Sequence, residues 1–291
     1  MPDVSVVIPT SGTRDSVHRA IQSAEAQVDP PREIIVAQCG VGPDVVDPRG
    51  RVRLVRVPQM NGSAARMAGV RAAVAERIAL LDDDDFWRPH HLAVADSLHG
   101  SSDVIVTSSR VLRRAPGSAD RVMPETLYTG GNVGDYLFNR DGLRYGERLL
   151  HTSTLTFPRT LALDVPWDPQ LPRHQDWDWV LRAQAIAGAK FAHSGVVTCE
   201  IEWSGFPSVS RSVAWQQSLA WTERVYADGL LNRASVASVR LYVTSDQAFL
   251  SGNRLAASRL AVRECKHRPR PILALSIWAA RTARHALKGI Q

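Results

Sequence analysis

Four consecutive aspartates, Asp82-Asp83-Asp84-Asp85, follow the apolar run Ile78-Ala79-Leu80-Leu81 and precede Phe86-Trp87. Adjacent carboxylates repel one another, and a hard divalent cation that takes oxygen ligands and bridges to phosphates is their natural compensation. A solvated acidic turn is the plain alternative, but a place directly after a strand and before an aromatic pair favours the metal site. A second acidic cluster, His174-Gln175-Asp176-Trp177-Asp178-Trp179, opens a helical segment. Asp176 could cap backbone amides there, and spacing alone favours that role. As a general base it would have to lie near the metal site and accept a hydroxyl proton. His90-His91 could line the same site, although solvation at a helix start is the expected state. His151 and His193 have no partner at useful spacing and read as structural. Trp177 and Trp179 could stack on a sugar face, with packing the expected job of Trp179.

Positioning these groups requires a scaffold, and the first hundred residues alternate short β-branched runs with segments of helical period, the pattern of βαβ units. Val4–Ile8, Glu33–Ala37, Arg53–Val57, Arg77–Leu81 and Val104–Thr107 read as strands. Between them lie a helix striped by Val17, Ala20, Ile21 and Ala24, capped by Asp15 or Ser16, and another capped within Asn61-Gly62-Ser63. The acidic cluster thus sits at the carboxyl end of the fourth strand, where ligands of open α/β sheets bind. Residues from Arg113 to Gly146 read as loops around one short helix near Val133 to Phe138, a place for variable substrate recognition. A helix from Asp176 to Ala187 and a short strand over Lys190–Ala192 follow. Beyond Pro207 the pattern is helical: Ser212–Ala227, Ser235–Leu250, Asn253–Cys265 and Ile272–Leu287. A boundary is expected near residue 206, giving a catalytic domain over 1–205 and a helical, basic extension over 206–291.

Length, 291 residues, and 44% hydrophobic content suit one large globular domain with an appendage. No run of about 18 uncharged apolar residues occurs, and the first residues lack the regions of a signal peptide. Cys39, Cys199 and Cys265 are far apart and in no C-x-x-C pair, which argues against a disulfide framework or a cysteine zinc site. The expected compartment is the cytoplasm, with a peripheral place at the inner membrane surface left open. The net charge of +6 is unevenly spread: residues 252–291 hold nine Lys/Arg and one Glu, so residues 1–251 carry 26 basic against 28 acidic, or −2. The basic tail with Ile272-Leu273-Ala274-Leu275-Ser276-Ile277-Trp278 could lie on an anionic membrane surface. A helix packed on the catalytic domain with its basic face in water is the preferred reading. Nucleic acid is not an expected partner, since interleaved aromatics and a recognised module are missing.

Val4–Thr10, Glu33-Ile34-Ile35-Val36, Asn61-Gly62-Ser63-Ala64-Ala65-Arg66, Leu81–Trp87 and Asp176–Arg182 stand in the order and spacing of family 2 glycosyltransferases, which the chain resembles over roughly residues 3 to 195. The resemblance implies a GT-A (Rossmann-like) α/β fold: a mixed, mostly parallel sheet flanked by helices, here with the C-terminal helical extension. It implies that Asp82 lies near the nucleotide ribose, Asp84 binds Mn²⁺ or Mg²⁺ that holds the donor diphosphate, and Asp83 shares either role. It places Pro9 and Thr10 in the nucleotide base pocket and Arg66 beside the nucleotide. It makes Asp176 the catalytic base, against the preference from spacing alone. The implied reaction moves a sugar from a nucleoside-diphosphate sugar to an acceptor hydroxyl with inversion, one addition at a time. The acceptor, whether glycan, lipid-linked or small natural product, is open.

The chain departs from the family pattern where Gln38-Cys39-Gly40-Val41 replaces an acidic segment, where Gln175 stands for a common glutamate, and where Ile201-Glu202-Trp203-Ser204 holds no histidine as a third metal ligand. Gln38 could read a base edge through its amide, and uridine, guanosine and thymidine nucleotides all stay open. Two other readings remain: another metal-dependent nucleotidyltransferase or phosphohydrolase, and a non-catalytic nucleotide-sugar binding module.

Overall fold

The computed structural model describes residues 3–12, 15–40, 44–45, 50–58, 60–99, 105–139, 146–202 and 214–288. The chain divides into two compact units, one of Met1–Gly130, Gly146–Leu171 and Gln175–Gly205, the other of Gly131–Tyr145, Pro172–His174 and Phe206–Gln291.

The first unit is built on a mixed sheet of nine described strands. Strands β1 (Val4–Thr10), β2 (Glu33–Cys39), β3 (Val52–Val57) and β4 (Arg77–Leu80) run parallel in the order β3-β2-β1-β4. Beyond β4 the sheet continues through β8 (Thr156–Pro158), antiparallel to both β4 and β6 (Ile105–Arg114). Strand β9 (Lys190–Glu202) pairs parallel with β6 and antiparallel with β5 (Asp85–Trp87), and β7 (Arg121–Met123) pairs with β6 off the main path.

Strands β1, β2 and β4 are buried on both faces and read as nearly continuous apolar runs, whereas β3 at the edge keeps Arg53 and Arg56 exposed. Val4, Val6, Ile8, Ile34, Val36 and Ala79 share one core with Val17, Ala20, Ile21 and Ala24 of helix α1 (Ser16–Glu25). Alternate residues, Ala37 and Cys39, pack with Val57 and with Ala65 of helix α2 (Gly62–Ala72). Helix α2 approaches so closely that a Cβ on Gly69 would meet Val7 Cγ1 at 2.3 Å. Helix α3 (His91–Leu98) follows β5, and α5 (Arg159–Asp164) and α6 (Gln175–Ala187) complete the unit. At its base Trp167 stacks on Trp179 at 4.2 Å, and the Trp179 indole N–H donates to Val165 O at 2.8 Å. Trp179 therefore packs, as expected.

The second unit holds α4 (Val133–Phe138), α7 (Trp215–Ala227), α8 (Arg233–Val239), α9 (Ser245–Leu250), α10 (Arg254–Cys265) and α11 (Pro271–Lys288). A π-helical segment, Arg240–Thr244, joins α8 to α9. Leu241, Tyr242, Ala261, Cys265 and Ala274 form its core. Two carboxylates are buried with arginines: Glu264 accepts from Arg233 at 2.6 Å and Arg263 at 2.8 Å, and Asp246 pairs with Arg281 at 2.5 Å. Among the described residues no helix is long and apolar enough to cross a membrane.

Two expectations are corrected. The short strand over Lys190–Ala192 runs on to Glu202, because β6 and β5 supply backbone partners that local sequence does not announce. His91 is not solvated: it is buried, stacked on Trp87 at 4.1 Å and bonded through Nδ1 to Thr198 Oγ1 at 2.7 Å, whereas His90 is exposed.

Candidate active site

Strand β4 delivers the four aspartates into a turn that closes when Asp85 N donates to Asp82 O at 3.2 Å. The four side chains then take four different environments. Asp82 is half-buried and accepts from Arg66 Nη2 at 2.9 Å. Asp83 is buried and accepts from Thr10 Oγ1 at 2.5 Å, which ties the end of β1 to the turn. Asp84 is half-buried. Asp85 lies in β5, buried, and accepts from Ser153 Oγ at 2.5 Å. Burial, then the neighbouring Asp82 and Asp84 charges, push the Asp85 carboxyl well above the usual range.

Arg66 links this turn to the second acidic cluster. Its helix α2 is started by Asn61, whose side chain accepts from Ala64 N at 3.1 Å. From there the buried guanidinium donates to Asp82 and, through Nη1, to Gln175 Oε1 at 3.1 Å; Nη2 also lies 3.9 Å from Asp176 Oδ1. Burial works against the charge on Arg66, but Asp82, Asp176 and Asp83 outweigh it and raise its pKa. Gln175 is itself fixed by donating from Nε2 to Leu171 O at 2.9 Å. Asp176 sits in the first turn of α6, and its buried Oδ1 accepts no hydrogen bond. The hydrogen-bonding capacity of that oxygen is thus unused within the described residues, beside the Arg66 guanidinium.

The nucleotide-side candidates lie along the carboxyl ends of β1 and β2, where Pro9 pairs with Ala37 and Thr10 with Gln38. Gln38 is fully buried and accepts from Val45 N at 2.9 Å. A Cβ at Gly12 (φ +72°) would sit 2.1 Å from Gln38 Nε2, so the loop after β1 rests directly on this amide. Of the amide expected to read a base edge, the oxygen is thus engaged by the backbone.

Two residues of the site escaped sequence reasoning. Ser153, fully buried in the short 3₁₀ turn Thr152–Thr154 before β8, accepts from Asp82 N at 3.1 Å while donating to Asp85. Its own N–H donates to His151 Nδ1 at 3.3 Å, which leaves the proton of the neutral ring on Nε2. The His151 pKa is lowered by burial, against the pull of Asp82, Asp176 and Asp84, the charges among which the ring sits. His193, paired with Ser108 in the β6–β9 ladder, is half-buried, and burial lowers its pKa to about 4.

The donor chemistry suits a hard divalent cation. Asp82 and Asp84 add their negative charge to the burial that raises the Asp85 pKa, and the groups offered at the turn are carboxylate oxygens. Among the described residues no set of three or more His, Cys, Asp or Glu side chains could hold a metal alone. Mg²⁺ or Mn²⁺ commonly completes its shell with substrate phosphate and water oxygens, so one or two carboxylates suffice.

Residues 5–135 match the family model described as Glycosyl transferase family 2, and the fold is the GT-A fold. The amylovoran biosynthesis glycosyltransferase AmsB of Erwinia amylovora is 26% identical over 209 residues, covering 69% of this chain and 66% of AmsB. The succinoglycan biosynthesis protein ExoO of Rhizobium meliloti (strain 1021) is 39% identical over 209 residues, covering 64% of this chain and 56% of ExoO. The chain thus spans 66% and 56% of these two relatives' lengths. Among solved structures, S. aureus TarS in complex with UDP-GlcNAc superimposes with a TM-score of 0.63 at 12% identity, covering 92% of this chain and 82% of that one. The mannosyltransferase PcManGT of Pyrobaculum calidifontis, in complex with GDP-Man and Mn²⁺, gives 0.53 at 16% identity, covering 99% and 79%. At these identities the likeness concerns the fold.

Proposed function

We propose that the protein transfers a sugar from a nucleoside-diphosphate sugar to an acceptor hydroxyl with inversion, one sugar per event. The observation that carries this reading is Asp176 Oδ1, buried, without a hydrogen bond and 3.9 Å from the guanidinium that binds Asp82 at the strand end. One arginine thereby ties the base to the donor side. In the step itself the acceptor oxygen bonds to the anomeric carbon, its proton passes to Asp176, and the bond to the diphosphate oxygen breaks with its electron pair leaving on the diphosphate. A displacement from the face opposite the leaving group inverts the anomeric centre and needs one base.

Arg66 holds positive charge where the diphosphate gathers. Thr10 fixes Asp83, and Pro9 and Gln38 shape the wall beneath the base, Gln38 by supporting the Gly12 and Val45 backbone. Asp82 faces the ribose. Asp84 holds the cation, Mn²⁺ or Mg²⁺, which when bound neutralises charge on the departing diphosphate. TarS and PcManGT, which were solved with UDP-GlcNAc and GDP-Man, support a nucleotide-sugar donor. The transfer function belongs to residues 1–205, with 206–291 as a helical extension.

The test is Asp176→Asn in the purified protein. Transfer should fall by about 10²- to 10⁴-fold, the usual worth of a general base, while binding of nucleoside diphosphate with Mn²⁺ is kept. Retained transfer would remove Asp176 from the role of base.

A further inference from the structure

From Arg233 to the end the sequence contains eleven Lys/Arg and only two carboxylates, Asp246 and Glu264. Both carboxylates are turned inward and neutralised: Glu264 is fully buried against Arg233, Arg240 and Arg263, and Asp246 is buried against Arg281. The outer surface of α8 to α11 is therefore basic without a compensating anion among its described residues. Arg254, Arg259, Lys266 and Arg270 are all exposed, and Arg263 is exposed beyond its bond to Glu264.

Apolar groups stand among these cations. The inward side of α10 carries Ala257, Leu260, Ala261 and Cys265. Its outward side carries Leu255, Arg259, Val262 and Lys266, at the i, i+4, i+7, i+11 spacing of one helical stripe. Leu255 is 62% exposed and Val262 61%. At the corner into α11, between Arg270 and the body of the helix, Ile272 is 85% exposed and Leu273 41%. Within the run from Ile272 to Trp278, Ala274 is buried and Leu275, Ile277 and Trp278 pack into the core of this unit. The corner and the outward stripe of α10 stay outside, as does Leu250 at the end of α9.

We propose that this corner and stripe dock on an anionic lipid bilayer, with Ile272 and Leu273 entering the headgroup region and the surrounding cations facing lipid phosphates. Exposed aliphatic side chains rimmed by cations have the chemistry of an interfacial anchor, in which buried apolar area and attraction to anionic lipid act together. A second copy of this chain fits poorly, because a two-fold pair would set the same cations against themselves. Nucleic acid would satisfy the charge but not the aliphatic tip, which offers no ring for a base to stack on. The proposal is independent of the transfer reaction, since it uses no residue of the strand-end site.

The experiment is sedimentation of the full chain with vesicles of phosphatidylcholine alone and of equal parts phosphatidylcholine and phosphatidylglycerol, with sedimentation velocity in their absence. Binding should require phosphatidylglycerol and weaken with salt. Arg259→Gln with Lys266→Gln should lower the partition coefficient about thirtyfold, given roughly a fivefold loss per cation near such a surface. Ile272→Ser with Leu273→Ser should lower it at least about tenfold through lost apolar burial. These side chains are exposed, so unchanged thermal midpoints should accompany both losses. No binding to the anionic vesicles at low salt would overturn the proposal. So would binding that ignores the Ile272 and Leu273 substitutions, duplex DNA outcompeting the vesicles, or a dimer that the same substitutions abolish.

Discussion

Arg66 Nη2 donates to Asp82 Oδ1 at 2.9 Å, a bond that ties helix α2 to the acidic turn after β4. The same nitrogen lies 3.9 Å from Asp176 Oδ1, so two carboxylates with different proposed duties share one cation. Neutralising it should leave them repelling each other and the diphosphate unopposed. Arg66→Gln should reduce transfer by about 10²-fold, the scale for losing one preorganised charge contact. Isothermal titration should show nucleoside-diphosphate affinity falling with it, whereas Asp176→Asn should leave that affinity unchanged.

Ser153 is the hub beneath the turn, bonded at once to Asp82 N, Asp85 and His151. Ser153→Ala leaves the buried Asp85 carboxyl without its donor and the Asp82 N–H without its acceptor. Denaturant titration should show a loss of about 1–3 kcal/mol, and the affinity for Mn²⁺ with nucleoside diphosphate should fall too. Ser153→Cys should recover part of the stability.

His91 predicts a pH dependence. Burial lowers its pKa from the usual 6.5 to about 3, and its Nε2 is buried without a hydrogen-bond partner. The unfolded chain therefore takes up a proton that the folded chain refuses, and stability falls as pH drops from 6.5 toward 3. The contribution is about 1.4 kcal/mol per pH unit for one such group. His174, lowered to about 3 by burial and Arg173, adds to the same slope. His91→Phe should make the plot of unfolding free energy against pH shallower by one proton between pH 6 and 4, about 1.4 kcal/mol per unit. An unchanged slope would show that His91 is free to protonate in the fold.

The parallel half of the sheet was legible because β1, β2 and β4 are buried and largely apolar and even the edge strand β3 keeps Val52, Val55 and Val57, with Pro, Gly or Asp closing the strands. Strands β5, β7 and β8, three residues each, are too short to show a period. The length of β9 was hidden because His193, Ser194 and Gly195 interrupt its apolar pattern, and only pairing with distant β6 carries the strand through them. The acidic turn and Asp176 were visible as residue types and the family resemblance set Arg66 beside the nucleotide, but the link that Arg66 makes between Asp82 and Asp176 depends on the packing of α2 and was not legible. Ser153 and His151 carry no local signal at all. Ser153 meets Asp85 across a separation of 68 residues, brought there when β8 pairs with β4, and His151 then takes its place among Asp82, Asp84 and Asp176. His91 was misread for the same reason, since Thr198 on β9, 107 residues away, makes the helix start a buried one.

His151 offers a test of that hidden part of the site. Its Nε2–H is the donor that remains once Ser153 N–H has taken Nδ1. His151→Gln, which can still donate, should retain more transfer than His151→Phe, and the two should unfold at similar denaturant concentrations. Equal activity in both variants would assign the ring a packing role.

The central claim, a nucleoside-diphosphate site built on the acidic turn, is tested most directly by calorimetric titration of the purified protein with uridine, guanosine and thymidine diphosphates, each with and without Mn²⁺, beside Asp84→Asn. The account predicts that one of these nucleotides binds only when Mn²⁺ is present and that Asp84→Asn abolishes the binding. Failure of all three to bind with Mn²⁺, or equal binding by Asp84→Asn, would contradict it.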